Sequence, residues 1–533
     1  MNIKEKVQGL LKYCSSYQGH SYMVDERRED ESFRVVLSEE EEIAENLDRL
    51  QFILLTGEAG DGKSHLLKSL KERLEKYQFH IIGDFSELPE KGGVQKRSDG
   101  EPKLGKQEVI RVIADIVEGK SDQRIIIAAN VGIFTKTVLM YQEKLLDKLN
   151  QKHDRIKIIN FEKRNLAFNK EIFWRIVKAF YIYDQGMCMD AGCPHCKNCA
   201  YKNNIDFLCS PEGIESIRVL CDTVFLMGEH ITFRELLSLL AHLVTLGEGC
   251  GERRKQSPEG NYGYENIFGL TEDKILQKIS QMDPARKNDT VDDGEALYKD
   301  VKSCRREKRR RFFKERDTEK KYGLLAVDYL FEFQTALQDF EKMPYIASEM
   351  IQEGVLYQLK RGIGRLTRRG ESNLAVKVAD TPSMLGDDIQ TEFELGNMDI
   401  IWHRNGLDVN KPDQVTENGQ QNCFGMSYVY DADDTNKNEL EKITLAIDYR
   451  LFRYLMMADG YFYLSHNSKS IEEYTINTFF RKILKKKQGA YEKMLVKFVG
   501  EKENGYCNFS LSLQEMNRIF YRGMKVIKLK KEG

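Results

Sequence analysis

A glycine-rich octapeptide, Gly57–Ser64 (GEAGDGKS), is the feature that most restricts how this chain can fold. It follows the apolar run Phe52–Leu55, which is typical of a buried strand, and precedes His65–Leu70, which begins a helical pattern. Its spacing matches the phosphate-binding pattern G-x-x-x-x-G-K-[ST], which requires this strand–loop–helix context. The sequence therefore predicts a P-loop in a parallel sheet, with further strands beside it.

The residue types in this loop have chemical reasons. Glycines let the backbone curl so that N–H groups point at phosphate oxygens, and the helix N-terminus adds the positive end of its dipole. We expect Lys63 to contact the β- and γ-phosphates of ATP and the Ser64 hydroxyl to ligate Mg²⁺. The predicted nucleotide-binding residues are Gly57, Gly60, Asp61, Gly62, Lys63, Ser64 and His65.

Three further apolar runs predict the other strands of this sheet, at Phe79–Gly83, Arg124–Ala129 and Ile156–Asn160. Helical segments separate them, so the predicted fold class is α/β, a P-loop NTPase (AAA+/ASCE-like) with a three-layer core over 41–182. Ligands bind at the carboxyl ends of parallel strands. Asn130 follows one such strand directly, and is either a polar sensor near the γ-phosphate or a turn residue that caps the strand.

The acid that holds the Mg²⁺ water shell, the Walker B residue, has two candidates. Asp84 follows the strand at Phe79–Gly83, and Glu87 lies three residues further on. Such a pair suits metal binding and polarisation of the attacking water. Asp115 is better spaced from Lys63, but its segment has helical character. Asp84 ranks first and Asp115 second; a chain that uses neither would bind nucleotide and hydrolyse it poorly.

A strong helical pattern after the core predicts a helical lid. Thr232 is a suitable N-cap, and Glu235 completes the capping box three residues later. In AAA+-like ATPases such a lid carries an arginine toward the γ-phosphate. Arg234 is the candidate, and an exposed first-turn arginine is the alternative. The predicted catalytic residues are Lys63, Asp84, Glu87, Asn130 and Arg234.

Four cysteines lie within twelve positions, a spacing at which four thiolates can close a tetrahedral Zn²⁺ site. They are Cys188, Cys193, Cys196 and Cys199. We expect a structural zinc ion that staples a loop leaving the core. The alternatives are an iron–sulfur cluster, with Cys199 or Cys209 as its fourth ligand, and cysteines without metal. The predicted metal ligands are these four for Zn²⁺, with Ser64 and Asp84 for Mg²⁺.

Composition bears on partners and location. The chain has 533 residues and a formal net charge of −2, so overall charge argues neither for nor against nucleic acid. The densest basic run, Arg305–Arg316, is either a DNA-tracking face, a solvated helix face or a docking site for an acidic partner. The sequence has no apolar run of about eighteen residues and no signal-peptide pattern, which predicts a cytoplasmic protein without a membrane span. The oligomeric state stays open, a homo-oligomer included.

Five segments are expected along the chain. They are an N-terminal segment at 1–40, the NTPase core at 41–182, the cysteine-cluster insertion at 183–215, a helical lid with the basic run at 216–330, and an α+β accessory domain at 331–533. In the last, Ile443–Tyr449 predicts a strand before a helix at Leu451–Met457, and Met494–Val499 and Cys507–Leu513 predict strands paired around Gly505. No convincing nuclease signature occurs in it.

Several strings resemble those of the DptF family, the DNA phosphorothioation-dependent restriction proteins of bacteria. They are Leu54–His65, Ala128–Gly132, Phe161–Leu166, the Cys188–Cys199 cluster and Thr232–Leu237. The resemblance spans most of the chain; it is firmest over 50–245 and vague beyond about residue 330. Only the P-loop is specific by itself, and many ATPases share it.

The resemblance implies an ATPase subunit of a bacterial anti-phage assembly that restricts DNA lacking phosphorothioate modification. Partner subunits would then supply DNA engagement and cleavage, in keeping with the missing nuclease signature. Two other interpretations stand beside it: a non-catalytic nucleotide-dependent switch or scaffold (STAND-like), and an unrelated AAA+-like DNA-remodelling ATPase. ATP, Mg²⁺ and a structural Zn²⁺ are the expected cofactors, and other restriction subunits and DNA are the expected partners.

Overall fold

The computed structural model divides the chain into two compact units, one of residues 1–225 and 229–326 and one of residues 226–228 and 327–533. The residues that the structure describes are 3–14, 38–90, 93–96, 102–149, 154–167, 169–182, 199–250, 263–269, 273–287, 301–343, 345–347, 350–366, 373–379, 389–394, 400–404, 407–408, 411–415, 423–431, 440–460, 471–486, 491–500 and 503–511.

A parallel sheet forms the centre of the first unit. The strands are β1 (Phe52–Thr56), β2 (Phe79–Ile82), β3 (Gly93–Lys96), β4 (Pro102–Lys103), β5 (Arg124–Ala129) and β6 (Ile156–Asn160). Four of them pair in the order β2-β5-β1-β6, while β3 and β4 form a separate antiparallel pair. The four strands predicted from apolar runs are confirmed, and β5 separates β1 from β2.

The described part of the first unit also contains helices, of which some cover the two faces of this sheet. The helices are α1 (Ile3–Leu11), α2 (Ser38–Asn46), α3 (Lys63–Lys76), α4 (Lys106–Val117), α5 (Val131–Gln142), α6 (Lys144–Leu149), α7 (Lys170–Tyr181), α8 (Ala200–Leu208), α9 (Pro211–Leu226), α10 (Phe233–Thr245), α11 (Gly263–Asn266), α12 (Lys274–Ser280), α13 (Val301–Lys314) and α14 (Thr318–Leu324). In β1, Phe52 and Leu54 pack in a cluster with α4 and α5, whereas Ile53 and Leu55 pack with α2 and α3. A strand covered on both faces is apolar at consecutive positions. The arrangement is a three-layer α/β core.

Helix α10 begins as its sequence predicts. The Thr232 hydroxyl accepts from the backbone N–H of Glu235 at 3.1 Å, and the Glu235 carboxylate accepts from the N–H of Thr232 at 2.9 Å. This reciprocal pair satisfies N–H groups that a helix start leaves without partners. Every residue from Leu236 to Thr245 is buried, so only the first turn of α10 is near the surface.

The second unit combines helices with antiparallel sheets. Its elements are α15 (Leu330–Lys342), β7 (Tyr345–Ala347), α16 (Gly354–Leu366), β8 (Asn373–Ala379), β9 (Ile389–Glu394), β10 (Ile400–Arg404), β11 (Leu407–Asp408), β12 (Lys411–Val415), β13 (Phe424–Asp431), β14 (Leu440–Ile447), α17 (Tyr449–Asp459), α18 (Ile471–Lys486), β15 (Tyr491–Gly500) and β16 (Glu503–Leu511). Two sheets have four strands each, β14-β13-β10-β7 and β16-β15-β9-β8, and β11 pairs with β12. The rings of Phe333, Phe424 and Phe452 pack together, with centroids 5.1–6.0 Å apart.

The strand and helix predicted around residues 443–457 are confirmed by β14 and α17, and β15 pairs with β16 as expected. Gly505 was placed wrongly: it lies within β16 opposite Phe498, and not in the turn. An isolated glycine in a strand pattern does not distinguish a turn from a ladder position. Among the described residues, no helix combines the length and apolar character needed to span a membrane.

Candidate phosphate-binding site

The glycine-rich segment joins β1 to α3. Gly57, Gly60 and Gly62 have φ values of 150°, 99° and 93°, in a region that side chains bearing a Cβ avoid. A Cβ at Gly57 would lie 2.5 Å from Asp61 Oδ2, whereas a Cβ at Gly62 would meet no atom within 4 Å. The loop is thus tightly packed behind Gly57 and open beside Gly62, where a phosphate group has room to approach the backbone.

Lys63 is the first residue of α3, and its ammonium lies against the loop. Nζ donates to the carbonyl oxygens of Gly57 and Glu58 at 2.7 and 2.6 Å. Burial lowers the pKa of Lys63, and the neighbouring carboxylates, with Asp61 and Asp84 foremost, oppose this shift without cancelling it. The ammonium is therefore held on the loop by two backbone carbonyls and is partly shielded from solvent.

Ser64 and His65 follow in the first turn of α3, and both are half-buried. This turn carries the positive end of a 14-residue helix, which favours an anion beside it. The hydroxyl of Ser64 is an oxygen donor of the kind that Mg²⁺ prefers. The residue types and their position are therefore compatible with a bound magnesium–nucleotide complex.

Asp84 follows β2 and caps the short helical turn Phe85–Glu87. Its Oδ1 accepts from the N–H and the hydroxyl of Ser86 at 2.8 and 2.6 Å. Its Oδ2 has no hydrogen bond to any residue that the structure describes. The charge of Asp84 raises the pKa of Lys63 against the effect of burial, so the two side chains share one electrostatic environment. Glu87 is exposed at the end of the same turn.

The second Walker B candidate, Asp115, is wrongly placed for that role. It lies near the C-terminal end of α4, where its backbone carbonyl accepts from the N–H of Lys120 at 2.7 Å. A helix that connects parallel strands runs back along the sheet, so its C-terminal end lies at the amino edge of the next strand. Asp115 is therefore remote from the carboxyl edge, where ligands bind.

Asn130 follows β5 and caps α5. Its Oδ1 accepts from the N–H groups of Gly132 and Ile133 at 2.9 and 3.4 Å. Asn130 therefore acts as a cap, as the alternative prediction expected, but it caps helix α5 and not the strand. The amide NH₂ group makes no hydrogen bond within the described part of the chain. Since β5 lies between β1 and β2, Asn130 stands between the glycine loop and Asp84 along the carboxyl edge.

The first turn of α10 contacts the glycine loop. The backbone N–H of Arg234 donates to the carbonyl oxygen of Gly60 at 3.1 Å. A Cβ on Gly60 would lie 3.0 Å from Arg234 Cβ and 3.5 Å from its Cζ. The half-buried guanidinium therefore lies over Gly60 and forms no ion pair with a described residue. The structure brings Arg234 and the glycine loop together; the role of Arg234 in catalysis stays a prediction.

Arg164 supports the loop from behind, which sequence reasoning missed. Its Nη2 donates to the backbone carbonyl of Asp61 at 2.7 Å, and its guanidinium lies 4.5 Å from the ring centroid of Phe161. Its Nη1 lies 3.3 Å from Glu39 Oε1. Glu162, beside it, raises the pKa of Lys63. The available signal was position: both residues lie in the short segment that follows β6, at the carboxyl edge of the sheet.

Asp61 differs from the other predicted nucleotide-binding residues. Its side chain is completely buried, and its Oδ2 accepts from the N–H of Glu58 at 2.6 Å. Its Oδ1 lies 2.7 Å from His230 Nε2, a partner 169 positions away. Both carboxylate oxygens of Asp61 therefore already have partners inside the fold; its predicted role in nucleotide binding stays a prediction. His230 was also missed, since nothing in its sequence context marks it.

The cysteine cluster falls mostly on residues outside those described. Only Cys199 of the four is included, half-buried at the N-cap of α8, while Cys188, Cys193 and Cys196 lie outside. Burial raises the pKa of Cys209, the alternative fourth ligand, to about 11. Within the described ranges, no three His, Cys, Asp or Glu side chains are grouped to hold a metal. The zinc site stays a prediction.

The basic run Arg305–Arg316 forms most of α13. Phe312 and Phe313 are fully buried, and Lys308 donates to a backbone carbonyl at 2.8 Å. Arg305 and Lys314 are exposed. The run therefore has a packed face as well as a solvated one, which the sequence interpretation did not separate.

Comparison with protein-family models, with curated proteins and with solved structures finds no match for this chain. The glycine loop and the side chains around it therefore provide the basis for assigning a function.

Proposed function

We propose that this chain binds and hydrolyses ATP with Mg²⁺ at the Gly57–Ser64 loop. The single observation that carries the proposal is the position of the Lys63 ammonium, held on the loop carbonyls beside the open backbone at Gly62. A cation there, at a helix N-terminus, suits a ligand with two or three adjacent phosphates. The carboxyl ends of β1, β2 and β5 bring Asp84 and Asn130 to the same edge of the sheet.

Several side chains of this protein have separate proposed roles in hydrolysis. Lys63 binds the β- and γ-phosphates, and Ser64 and Asp84 hold the magnesium ion, which neutralises phosphate charge. Glu87 is proposed to orient and polarise the attacking water, because it is exposed and lies on the same turn as Asp84. The side-chain oxygen of Asn130 already caps α5, so only its amide N–H groups remain to help orient the attacking water.

Arg234 is proposed to stabilise charge on the γ-phosphate. Its support is the contact of its backbone with Gly60 and the absence of an ion-pair partner in the described part of the chain. A guanidinium that is already paired would have to break that pair before binding phosphate. Arg234 has no such pair to break among the described residues, so its guanidinium can contact the γ-phosphate directly, as other arginines contact transferring phosphoryl groups.

At the biological level, we propose that this ATPase serves a bacterial restriction assembly acting on DNA without phosphorothioate modification. This part depends on the DptF resemblance alone, in particular on the strings at Leu54–His65, Phe161–Leu166 and Thr232–Leu237. Cells that carry the complete system with Lys63→Ala should accept unmodified plasmid DNA as readily as modified DNA. Retained discrimination in those cells would contradict the proposal.

The nucleotide proposal is tested by Lys63→Ala beside Lys71→Ala. Lys71 lies on the same helix with 64% of its side chain exposed and serves as the matched control. Calorimetric titration with Mg·ATP should give at least a hundredfold weaker binding for Lys63→Ala, and unchanged binding for Lys71→Ala. Equal affinity of Lys63→Ala and the wild type would disprove nucleotide binding at this loop.

Hydrolysis requires a separate measurement. Glu87→Gln should retain ATP affinity and lose about a hundredfold or more in turnover, the usual contribution of a general base. Wild-type protein that binds ATP without turnover would instead favour the nucleotide-dependent switch. Comparing ATPase activity with and without DNA then distinguishes a DNA-stimulated ATPase from an ATPase that DNA does not affect and from the nucleotide-dependent switch.

A further inference from the structure

The glycine loop contains a buried carboxylate that the proposed chemistry does not use. Asp61 is 0% exposed at its side chain, and its two oxygens are held by the N–H of Glu58 and by His230 Nε2 at 2.6 and 2.7 Å. Because an ionised carboxylate only accepts hydrogen bonds, His230 Nε2 is the donor in this pair. Its other ring nitrogen, Nδ1, is buried without a hydrogen-bond partner among the described residues, so the ring is committed to Asp61.

His230 belongs to the segment that leads into α10 and is itself anchored there. Its backbone carbonyl accepts from Lys278 Nζ at 2.7 Å. The same ammonium lies 3.2 Å from the carboxylate of Glu235, which closes the capping box of α10. Lys278 belongs to α12. A continuous chain of polar contacts thus runs from Asp61 through His230 to the starts of α10 and to α12.

A second contact joins the glycine loop to residues 230–234, here called the lid segment, and lies beside this series of polar contacts. The N–H of Arg234 donates to the carbonyl of Gly60, the residue before Asp61. Two adjacent loop residues therefore hold two points of the lid segment, one through a side chain and one through the backbone. The loop cannot change its curvature at Gly60 and Asp61 without moving His230 or Arg234.

We propose that Asp61 and His230 form a latch that holds the lid segment on the glycine loop and couples nucleotide occupancy of the loop to the ordering of α10 and α12. This deepens the proposed function, on which it rests. His230 is a positioning residue, since it acts on phosphate binding through Asp61. Its imidazole also provides the hydrogen bond that a buried carboxylate requires when it lies close to bound phosphates. Because coupling between two sites is reciprocal, ATP should order the lid by the factor by which the latch strengthens ATP binding.

The first test compares His230→Ala, which removes the donor, with His230→Gln, whose side-chain NH₂ can still donate to Asp61. We expect Mg·ATP affinity to fall about tenfold in His230→Ala, which corresponds to one broken charge-assisted hydrogen bond, and to recover largely in His230→Gln. Equal losses in the two variants would reject the hydrogen-bonded latch in favour of packing by the ring. Wild-type affinity in His230→Ala would overturn it outright.

The control for general loss of stability is Asp283→Asn. Asp283 is 6% exposed and pairs with Arg309, which is 16% exposed; the corresponding values for Asp61 and His230 are 0% and 16%. It should lower the melting temperature and leave ATP affinity unchanged. If Asp283→Asn weakens ATP binding as much as His230→Ala does, the effect is one of stability and the latch is rejected.

A second measurement keeps this inference separate from the ATPase proposal. Hydrogen exchange without nucleotide should be faster in His230→Ala at the amides of Glu58 and Arg234, which the latch protects, and unchanged in Asp283→Asn. ATP should slow exchange in α12 of the wild type and not in His230→Ala. If the wild type fails to bind ATP, the proposed function and the coupling fail together, and the nucleotide-free exchange still decides whether Asp61 and His230 hold the lid segment.

Discussion

Arg309 donates from Nε and Nη2 to the two carboxylate oxygens of Asp283, at 2.9 and 2.7 Å, and the two side chains are only 16% and 6% exposed. The guanidinium also lies 5.5 Å from the ring centroid of Phe268. Arg309 therefore belongs to the packed face of α13. It is unsuited to tracking a DNA backbone, although it stands in the middle of the densest basic run.

We expect Arg309→Ala to lower the free energy of unfolding by about 3 kcal/mol, because it leaves the buried carboxylate of Asp283 without its ion-pair partner and with only the N–H of Ala285 as a hydrogen-bond donor among the described residues. Arg305→Ala is the matched control on the same helix, exposed to solvent, and should change stability by less than about 0.5 kcal/mol. Urea denaturation followed by circular dichroism measures both. Similar midpoints for the two variants would show that the ion pair contributes nothing to stability.

DNA binding by α13 must be tested with its exposed cations. Arg305 and Lys314 are exposed, and Arg316, just beyond the helix, has 87% of its side chain exposed. If this face follows the phosphates, replacing all three by Ala lowers affinity for every duplex sequence alike. It also reduces the slope of log affinity against log salt by about 0.9 for each lost contact. Anisotropy titrations at several salt concentrations measure that slope, and identical slopes would reject DNA tracking by this helix.

Gly60→Ala should disturb the contact between loop and lid. Its φ of 99° disfavours any side chain, and the added Cβ would lie 3.0 Å from Arg234 Cβ. Gly119→Ala is the control, since Gly119 has φ 70° and open space around its Cβ position. We expect both variants to lose about 1–2 kcal/mol of stability through backbone strain, and only Gly60→Ala to lose ATP affinity as well. Unaltered ATP binding by Gly60→Ala would mean that the loop does not need this contact.

We expect the purified protein to contain about one zinc ion per chain, held by Cys188, Cys193, Cys196 and Cys199. Elemental analysis measures the content, and Cys196→Ser should abolish it. Cys304→Ser, which removes a half-buried cysteine elsewhere in the chain, should leave it unchanged. Iron with visible absorbance, or protein free of metal, would contradict the zinc site.

The ionisation of Lys321 makes the free energy of unfolding depend on pH in the alkaline range. Its ammonium is fully buried and donates to Ser216 Oγ at 2.6 Å and to the carbonyl of Phe312 at 3.0 Å. Burial lowers the pKa of Lys321 to about 8, against a nearby Glu215 carboxylate that raises it. Between pH 8 and 10.5 the unfolded chain therefore binds more protons at this residue than the folded one, so that stability rises with pH.

Over that window the wild type should gain about 1–3 kcal/mol of unfolding free energy relative to Lys321→Met, which has no titratable group at this position. Chemical denaturation at several pH values gives the two curves. Parallel curves for the wild type and Lys321→Met would show that Lys321 titrates at its ordinary pKa in the folded protein.

Local patterns accounted for the strands of the first sheet and for the capping box at Thr232, because burial on both faces and helix capping depend on neighbouring residues. The order of the strands could not be predicted from the sequence, because it is set by pairing between segments far apart in the chain. For the same reason the Asp61–His230 pair had no signal: its two residues are 169 positions apart. Asp115 illustrates the opposite case, in which spacing along the chain suggested a role that helix direction excludes.

Glu39 lies before the start predicted for the nucleotide-binding core at residue 41, yet its carboxylate meets Arg164, which in turn holds the backbone of Asp61. A truncated version of the protein that begins at residue 41 would leave this guanidinium, 13% exposed at its side chain, with one anchor fewer. The smallest fragment that keeps this contact therefore has to include Glu39 at the start of α2. A deletion outside the predicted core would then weaken ligand binding, because it removes a residue that supports Arg164 and, through it, the backbone of the glycine loop.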